Sequence, residues 1–196
     1  MKRIFAIILA MIFCLCLTAC GDETNDLGNL NQNSGNQTTP AAIKPSGFSK
    51  DDIAVVISGQ TFGADTKTAD VLALLGESYE YEEAMSCAYS KINGVDTGYM
   101  DKTYDYGDTV IKSVPPEGEH MIADFYTERT DIKTTKGIGV GSTIEEVEAA
   151  YGPIGDEFGQ ITYKAGADIS STPGLYFMYE NGVVYGFGFT SGLSSY

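Results

Sequence analysis

Apolar and polar positions along the chain alternate at two different periods, and the change from one to the other marks out elements. The segment 53–58 (IAVVIS) is apolar and β-branched and predicts a strand. At 68–76 (TADVLALLG), Val71, Leu72, Leu74 and Leu75 recur at helical spacing, and Gly76 supplies a stop. Strand patterns follow at 87–92, 103–107, 109–114 and 120–127, with Pro115, Pro116 and Gly118 predicting a turn between the last two. The succession then starts again. A second short helix is predicted from Gly141, with Ser142 and Glu145 fitting a capping box and Gly152-Pro153 ending it. Strands are predicted at 160–164, 175–180 and 183–190, the last two joined by a tight Asn181-Gly182 hairpin.

The two successions align at an offset of 76 residues: Phe62-Gly63 answers Ile138-Gly139, Asp70-Val71 answers Glu146-Val147, and Leu75-Gly76 answers Tyr151-Gly152. The expected fold class is α+β, built as two tandem repeats over 48–130 and 131–196. Each repeat is expected to pack a short helical element on an antiparallel sheet of about three to four strands. Either half is too small for a good core. Joined, they are long enough to bury about 68–70% of their surface.

The stretch 136–152 (KGIGVGSTIEEVEAAYG) resembles a segment met in small bacterial lipoproteins with a β-lactamase-inhibitor-protein-like fold, and in the small lipoproteins of outer-membrane assembly. The resemblance implies a helical element on an antiparallel sheet, in tandem in the inhibitor type, and binding rather than catalysis. The chain departs from the inhibitor in having no tryptophan and too few cysteines for its disulfides. The motif also accounts for itself physically. Gly141 permits a change of direction, Glu145 and Glu146 favour the positive end of the helix, and Val147, Ala150 and Tyr151 form a core stripe.

The N-terminus has a different grammar. Lys2 and Arg3 precede an uncharged run of 16 residues, Ile4 to Ala19. A membrane-spanning helix needs about 20 apolar residues, so the run reads as the core of a signal peptide over 1–19. It ends Leu17-Thr18-Ala19-Cys20-Gly21, which resembles the bacterial lipobox. That resemblance implies cleavage between Ala19 and Cys20, with Cys20 acylated and the protein held to the cell membrane on its extracytoplasmic face. The following residues, to position 47, are rich in Asn, Gln, Gly and Thr and predict a flexible linker.

Charge and cysteine content then narrow the classes. With 27 acidic and 12 basic side chains the formal charge is −15, which opposes nucleic-acid binding because phosphate recognition needs a basic surface. Loss of the leader takes the charge to −17 and lets the body stand off an anionic leaflet. Cys14 and Cys16 leave with the leader, so Cys87 is the only thiol of the mature domain, expected as a buried strand residue.

Chemistry-bearing patterns are few. His120 is the only histidine and is expected at the start of a strand with its ring satisfied. No G-x-S-x-G elbow precedes a serine, and the glycine-rich 137–143 run lacks the lysine of a phosphate loop. Asp96, Asp101, Asp105 and Asp108, with Asn93, form an acidic segment whose spacing departs from a calcium-binding loop. No cofactor is expected. Thirteen tyrosines are the remaining peculiarity, and tyrosine offers rigid amphipathic contact area. Candidate binding residues are Tyr99, Tyr104 and Tyr106 around an insertion-like loop at 93–108, and Tyr163, Tyr176 and Tyr185 on an outer sheet face. The expectation is a lipid-anchored, non-enzymatic module for a protein partner. A small-ligand or glycan binder is the alternative, and a hydrolase ranks behind both.

Overall fold

Period-two alternation folds much of the chain from Phe48 onward into antiparallel strands. The computed structural model describes residues 48–153, 159–166 and 172–193, all within the unit Thr38–Tyr196. The leader at 1–19, the Ala19–Cys20 bond and the linker at 20–47 lie outside the described residues.

In chain order the elements are β1 (Ala54–Ile57), β2 (Gln60–Gly63), α1 (Thr68–Leu75), β3 (Glu80–Met85), β4 (Lys91–Ile92) and β5 (Val95–Asp96). Then come β6 (Met100–Asp105), β7 (Thr109–Val114), β8 (Met121–Thr127), β9 (Lys133–Thr134) and α2 (Ile144–Tyr151). The chain closes with β10 (Gln160–Lys164), β11 (Gly174–Glu180) and β12 (Val183–Thr190). Neither helix is long and apolar enough to cross a membrane.

Seven strands form one antiparallel sheet in the order β10-β11-β12-β8-β7-β6-β3. A small sheet, β2-β1-β9, and the hairpin β4-β5 complete the structure. The expected sheets of three to four strands are thus joined into one: β12 pairs directly with β8, Phe189 opposite Phe125. The physical reason lies in the register. Tyr163, Leu175, Phe189, Phe125, Ile111 and Tyr104 pair in succession across six strands, so their side chains share one face. All six are buried, and the rings of Phe125 and Phe189 stack at 5.7 Å. Splitting the sheet would expose this row, at roughly 1.5–3 kcal/mol for each large apolar side chain.

Both helices and the small sheet contribute to the core on that inner face. Val71 of α1 and Val147 and Tyr151 of α2 are buried with it. The Tyr151 ring lies 5.3 Å from Tyr163 and 5.7 Å from Phe177, and its hydroxyl donates to Thr134 Oγ1 at 2.7 Å.

The two helices are entered through matching hydrogen bonds. Thr66 N–H donates to Gly63 O (3.1 Å) and Ser142 N–H to Gly139 O (3.0 Å), while the Thr66 and Ser142 hydroxyls accept from Gly63 N–H and Gly139 N–H. Ahead of α1, Thr66 O accepts from Ile122 N–H and His120 O from Thr68 N–H. Ahead of α2, Ser142 O accepts from Val184 N–H and Gly182 O from Ile144 N–H.

Three sequence expectations need correction. The capping box of α2 is Thr143 with Glu146, one residue beyond Ser142 and Glu145: Thr143 N–H donates to Glu146 Oε2 at 2.9 Å, and Glu146 N–H to Thr143 Oγ1 at 3.3 Å. Ser142 is unable to cap because its hydroxyl and backbone belong to the preceding turn and to β12. The predicted strand 87–92 is largely a turn, closed by Ser90 N–H on Ser86 O, and only Lys91 and Ile92 pair in β4. Cys87 is accordingly exposed rather than buried. The strand that the pattern missed is β3, which has little apolar content because all six of its residues are exposed.

Candidate functional site

The register that buries one face of the large sheet turns the intervening residues outward. Thr162, Tyr176, Gly188, Tyr126 and Val110 form one outward row, and Lys164, Gly174, Thr190, Asp124 and Lys112 the next. Among the described residues both helices pack on the opposite side, and the non-glycine members of these rows remain partly or fully exposed.

Three glycines make this face unusual, since each leaves room for a side chain from a neighbouring strand. A Cβ on Gly188 would lie 2.7 Å from Tyr176 Oη, and one on Gly186 would lie 2.7 Å from Tyr126 Cζ. A Cβ on Gly174 would come within 2.9 Å of Lys164 Cδ. Tyr126 and Tyr176 therefore lean across β12 with their rings parallel to within 4° and centroids 6.5 Å apart.

Polar groups anchor both rings. Tyr176 donates its hydroxyl to Asp124 Oδ1 at 3.2 Å, and Tyr126 donates to Glu128 Oε1 at 2.8 Å. Burial raises the Asp124 carboxyl above its ordinary range, opposed by the Tyr176 hydrogen bond and by Lys112 and Lys164. Burial likewise lowers the Lys164 ammonium, with Asp124 opposing. Both phenols are raised, first by burial and then by their carboxylate neighbours. Tyr185 stands at the rim with 43% of its surface exposed. The arrangement offers fixed aromatic area with donors and acceptors at its edges, the chemistry of a recognition surface.

The predicted tyrosines divide between this face and elsewhere. Tyr176 and Tyr185 belong to it, and so does Tyr126, which is absent from the predicted residues and stacks on Tyr176. The signal available was the YGFGFT run of β12, whose Gly186 and Gly188 leave gaps on alternate positions. Tyr163 is a correction. It is opposite Leu175 on the inner face, 1% exposed, and donates to Gly152 O at 2.9 Å.

Tyr104, which the sequence places both in a strand at 103–107 and around the loop 93–108, is also a core residue, since β6 buries it opposite Ile111. Tyr106 donates to Gly76 O at 2.8 Å, closing the end of α1. Tyr79 packs edge-on against both Tyr104 and Tyr106, at 5.1 and 5.4 Å, and Tyr81 lies 5.4 Å from Tyr104. An open cleft beside this cluster is lined by Glu77, Tyr79, Glu80, Asp105 and Tyr106. Tyr99 is half-buried beside the turn at Gly118, away from both tyrosine groups.

His120 lies just before β8, its Nδ1 2.9 Å from Ser113 Oγ, which in turn is 2.8 Å from Thr68 Oγ1. Ser113 is fully buried, so this chain of hydroxyls ties α1 to the sheet and gives a substrate no access to the serine. The acids of 93–108 are spread over β5, β6 and the turn after it, and no three metal-ligating side chains converge among the described residues.

Comparisons with known proteins add no relative: no family model, curated protein or solved structure matches the chain.

Proposed function

We propose that the chain is a lipid-anchored, extracytoplasmic, non-enzymatic module that binds a protein partner through the outer face of its large sheet. The observation that carries the reading is the pair Tyr126–Tyr176, laid over Gly186 and Gly188 on a face that the helices leave open. Rigid tyrosines with satisfied hydroxyls lose little conformational freedom on binding, which favours them at protein interfaces. The lipobox at Leu17–Cys20 supports the anchor, because two acyl chains hold a soluble body at a bilayer.

The same reading treats the domain as two copies of one helix-and-sheet unit. It is supported by the matching hydrogen bonds around Thr66 and Ser142, and by the sheet order, in which β6-β7-β8 and β10-β11-β12 meet at β8 and β12.

The test places a photo-crosslinking amino acid at position 185, and in a control at exposed position 91, in cells that make the full chain. A protein adduct from 185 that is absent from 91, and lost in the Tyr126→Ala/Tyr176→Ala variant, is the expected result. Equal adducts from both positions, or an adduct indifferent to the double substitution, would refute the reading. Globomycin should make a leader-bearing form accumulate and Cys20→Ser should abolish labelling by a fatty acid, and processing and retention altered by neither would refute the anchor.

A further inference from the structure

The strand β3 closes the large sheet with an edge whose guard is acidic charge alone, on Glu80, Glu82 and Glu83. It contains no proline, no lysine and no bulge, and it pairs with β6 in unbroken register from Glu80–Asp105 to Met85–Met100. Beyond it, Ser86 N–H donates to Tyr99 O at 2.9 Å in the same register. In an antiparallel pair, residues two apart point their N–H and C=O groups the same way. Glu80, Glu82 and Ala84 therefore address β6, and the N–H and C=O groups of Tyr81, Glu83 and Met85 point to the free edge.

The side chains say what fits there. Glu80 and Glu82 project on one face of the strand, and Tyr81, Glu83 and Met85 on the other, with Tyr81 45% and Met85 68% exposed. A second copy is disfavoured. An antiparallel β3–β3 pairing centred on Glu82 or Glu83 sets that carboxylate against its own copy, and the chain carries a formal charge of −15. Cations meet the opposite situation. Residues across from Glu80 and Glu82 would occupy the close, non-hydrogen-bonded sites, about 4.5 Å between Cα atoms.

We propose that β3 is the docking edge for one extended, lysine- or arginine-bearing segment of a partner protein, which adds as an eighth strand. Its backbone bonds to Tyr81, Glu83 and Met85, its cations face Glu80 and Glu82, and its alternate apolar side chains lie on Tyr81 and Met85. The inference rests on the reading of the chain as a protein-binding module, but it uses a different surface from Tyr126, Tyr176 and Tyr185.

The test uses the mature chain and a synthetic ten-residue peptide of alternating lysine and valine. A peptide of the same composition, with the lysines and valines in two blocks, is the control. Amide exchange at Tyr81, Glu83 and Met85 should slow at least tenfold with the alternating peptide and stay unchanged with the block peptide. Glu83→Pro removes an N–H that β6 does not use, and should weaken binding at least tenfold without altering the unfolding midpoint. Glu82→Lys should weaken it comparably and does not depend on the tolerance of proline. Absence of binding, binding without protection of the three amides, equal binding of the block peptide, or self-association through β3 would each overturn the proposal. Loss of edge binding with the adduct from position 185 intact refutes this inference alone. The reverse result refutes only the outer-face reading.

Discussion

Tyr126 of β8 occupies the space in which a side chain on Gly186 of β12 would stand: a Cβ there would lie 2.7 Å from the Tyr126 ring carbon Cζ and 2.8 Å from Cε2. The tyrosine depends on the glycine, because its ring could not hold its place against a side chain at position 186. Gly188 sits deeper, with a hypothetical Cβ 2.9 Å from the Phe125 backbone carbon. A ring can swing aside, whereas the main chain of a central strand has nowhere to move. Gly186→Ala should cost about 1–3 kcal/mol, in the range of overpacked sites, and should displace Tyr126. Gly188→Ala should cost more. Urea unfolding of the two variants checks the order, and equal midpoints would contradict it.

The start of α2 gives a second, smaller comparison. Thr143 both donates and accepts in its capping box, while the Ser142 hydroxyl accepts only from Gly139 N–H at 3.3 Å. Thr143→Ala should destabilise the fold by about 1 kcal/mol, within the usual range for a lost cap. Ser142→Ala should cost less, because the bond it removes, of the same length, serves the preceding turn and leaves the capping box of α2 whole. Thermal unfolding of the pair is the measurement, and a larger loss for Ser142→Ala would restore the cap to the position the sequence suggested.

His120 makes stability depend on pH in a predictable direction. Burial lowers its pKa below the ordinary 6.5, with Lys102 adding to the effect and Asp101 and Glu83 opposing it. The unfolded chain therefore binds more protons than the folded one between the folded pKa and 6.5. Stability should rise with pH through that window and fall as the solution is acidified below 6.5. His120→Asn, which keeps a hydrogen-bonding partner for Ser113, should flatten this part of the curve. An unchanged slope between pH 5 and 7 would show that the imidazole is not its source.

Cys87 supplies a test of fold and processing together. Its thiol is exposed in the turn after β3, Cys14 and Cys16 lie in the leader, and Cys20 is the proposed acylation site. The native mature protein should show one reactive thiol in a colorimetric titration without denaturant, and Cys87→Ser should show none. A thiol that reacts only after unfolding would restore the buried placement. A second reactive thiol would contradict acylation of Cys20.

How far the sequence carried depends on burial. Strands β7, β10 and β12 fall on the expected residues: β10 and β12 present apolar side chains to one core, and β7 alternates in burial through Thr109, Ile111 and Ser113. The Asn181-Gly182 turn was equally legible: both residues take positive φ, 52° and 78°, which their small or absent side chains tolerate. Where a segment meets solvent on both sides the same code is silent. The strand β3 reads EYEEAM and gives no alternation, whereas CAYSKI resembles a strand and forms mostly a turn.

Placement of the tyrosines divides along the same line. Tyr163 and Tyr176 belong to neighbouring paired strands and look alike in the sequence, yet Tyr163 faces Leu175 and Tyr176 faces Thr162. One residue of register puts one ring in the core and the other on the open face. The linear chain settled the local elements, since turn chemistry, helix stops and alternating apolar positions act between neighbours in sequence. Tertiary pairing decided which tyrosines face outward, because that depends on β12 meeting β8 in a particular register. It also decided that Gly186 and Gly188 give them room and that an acidic strand is left at the edge.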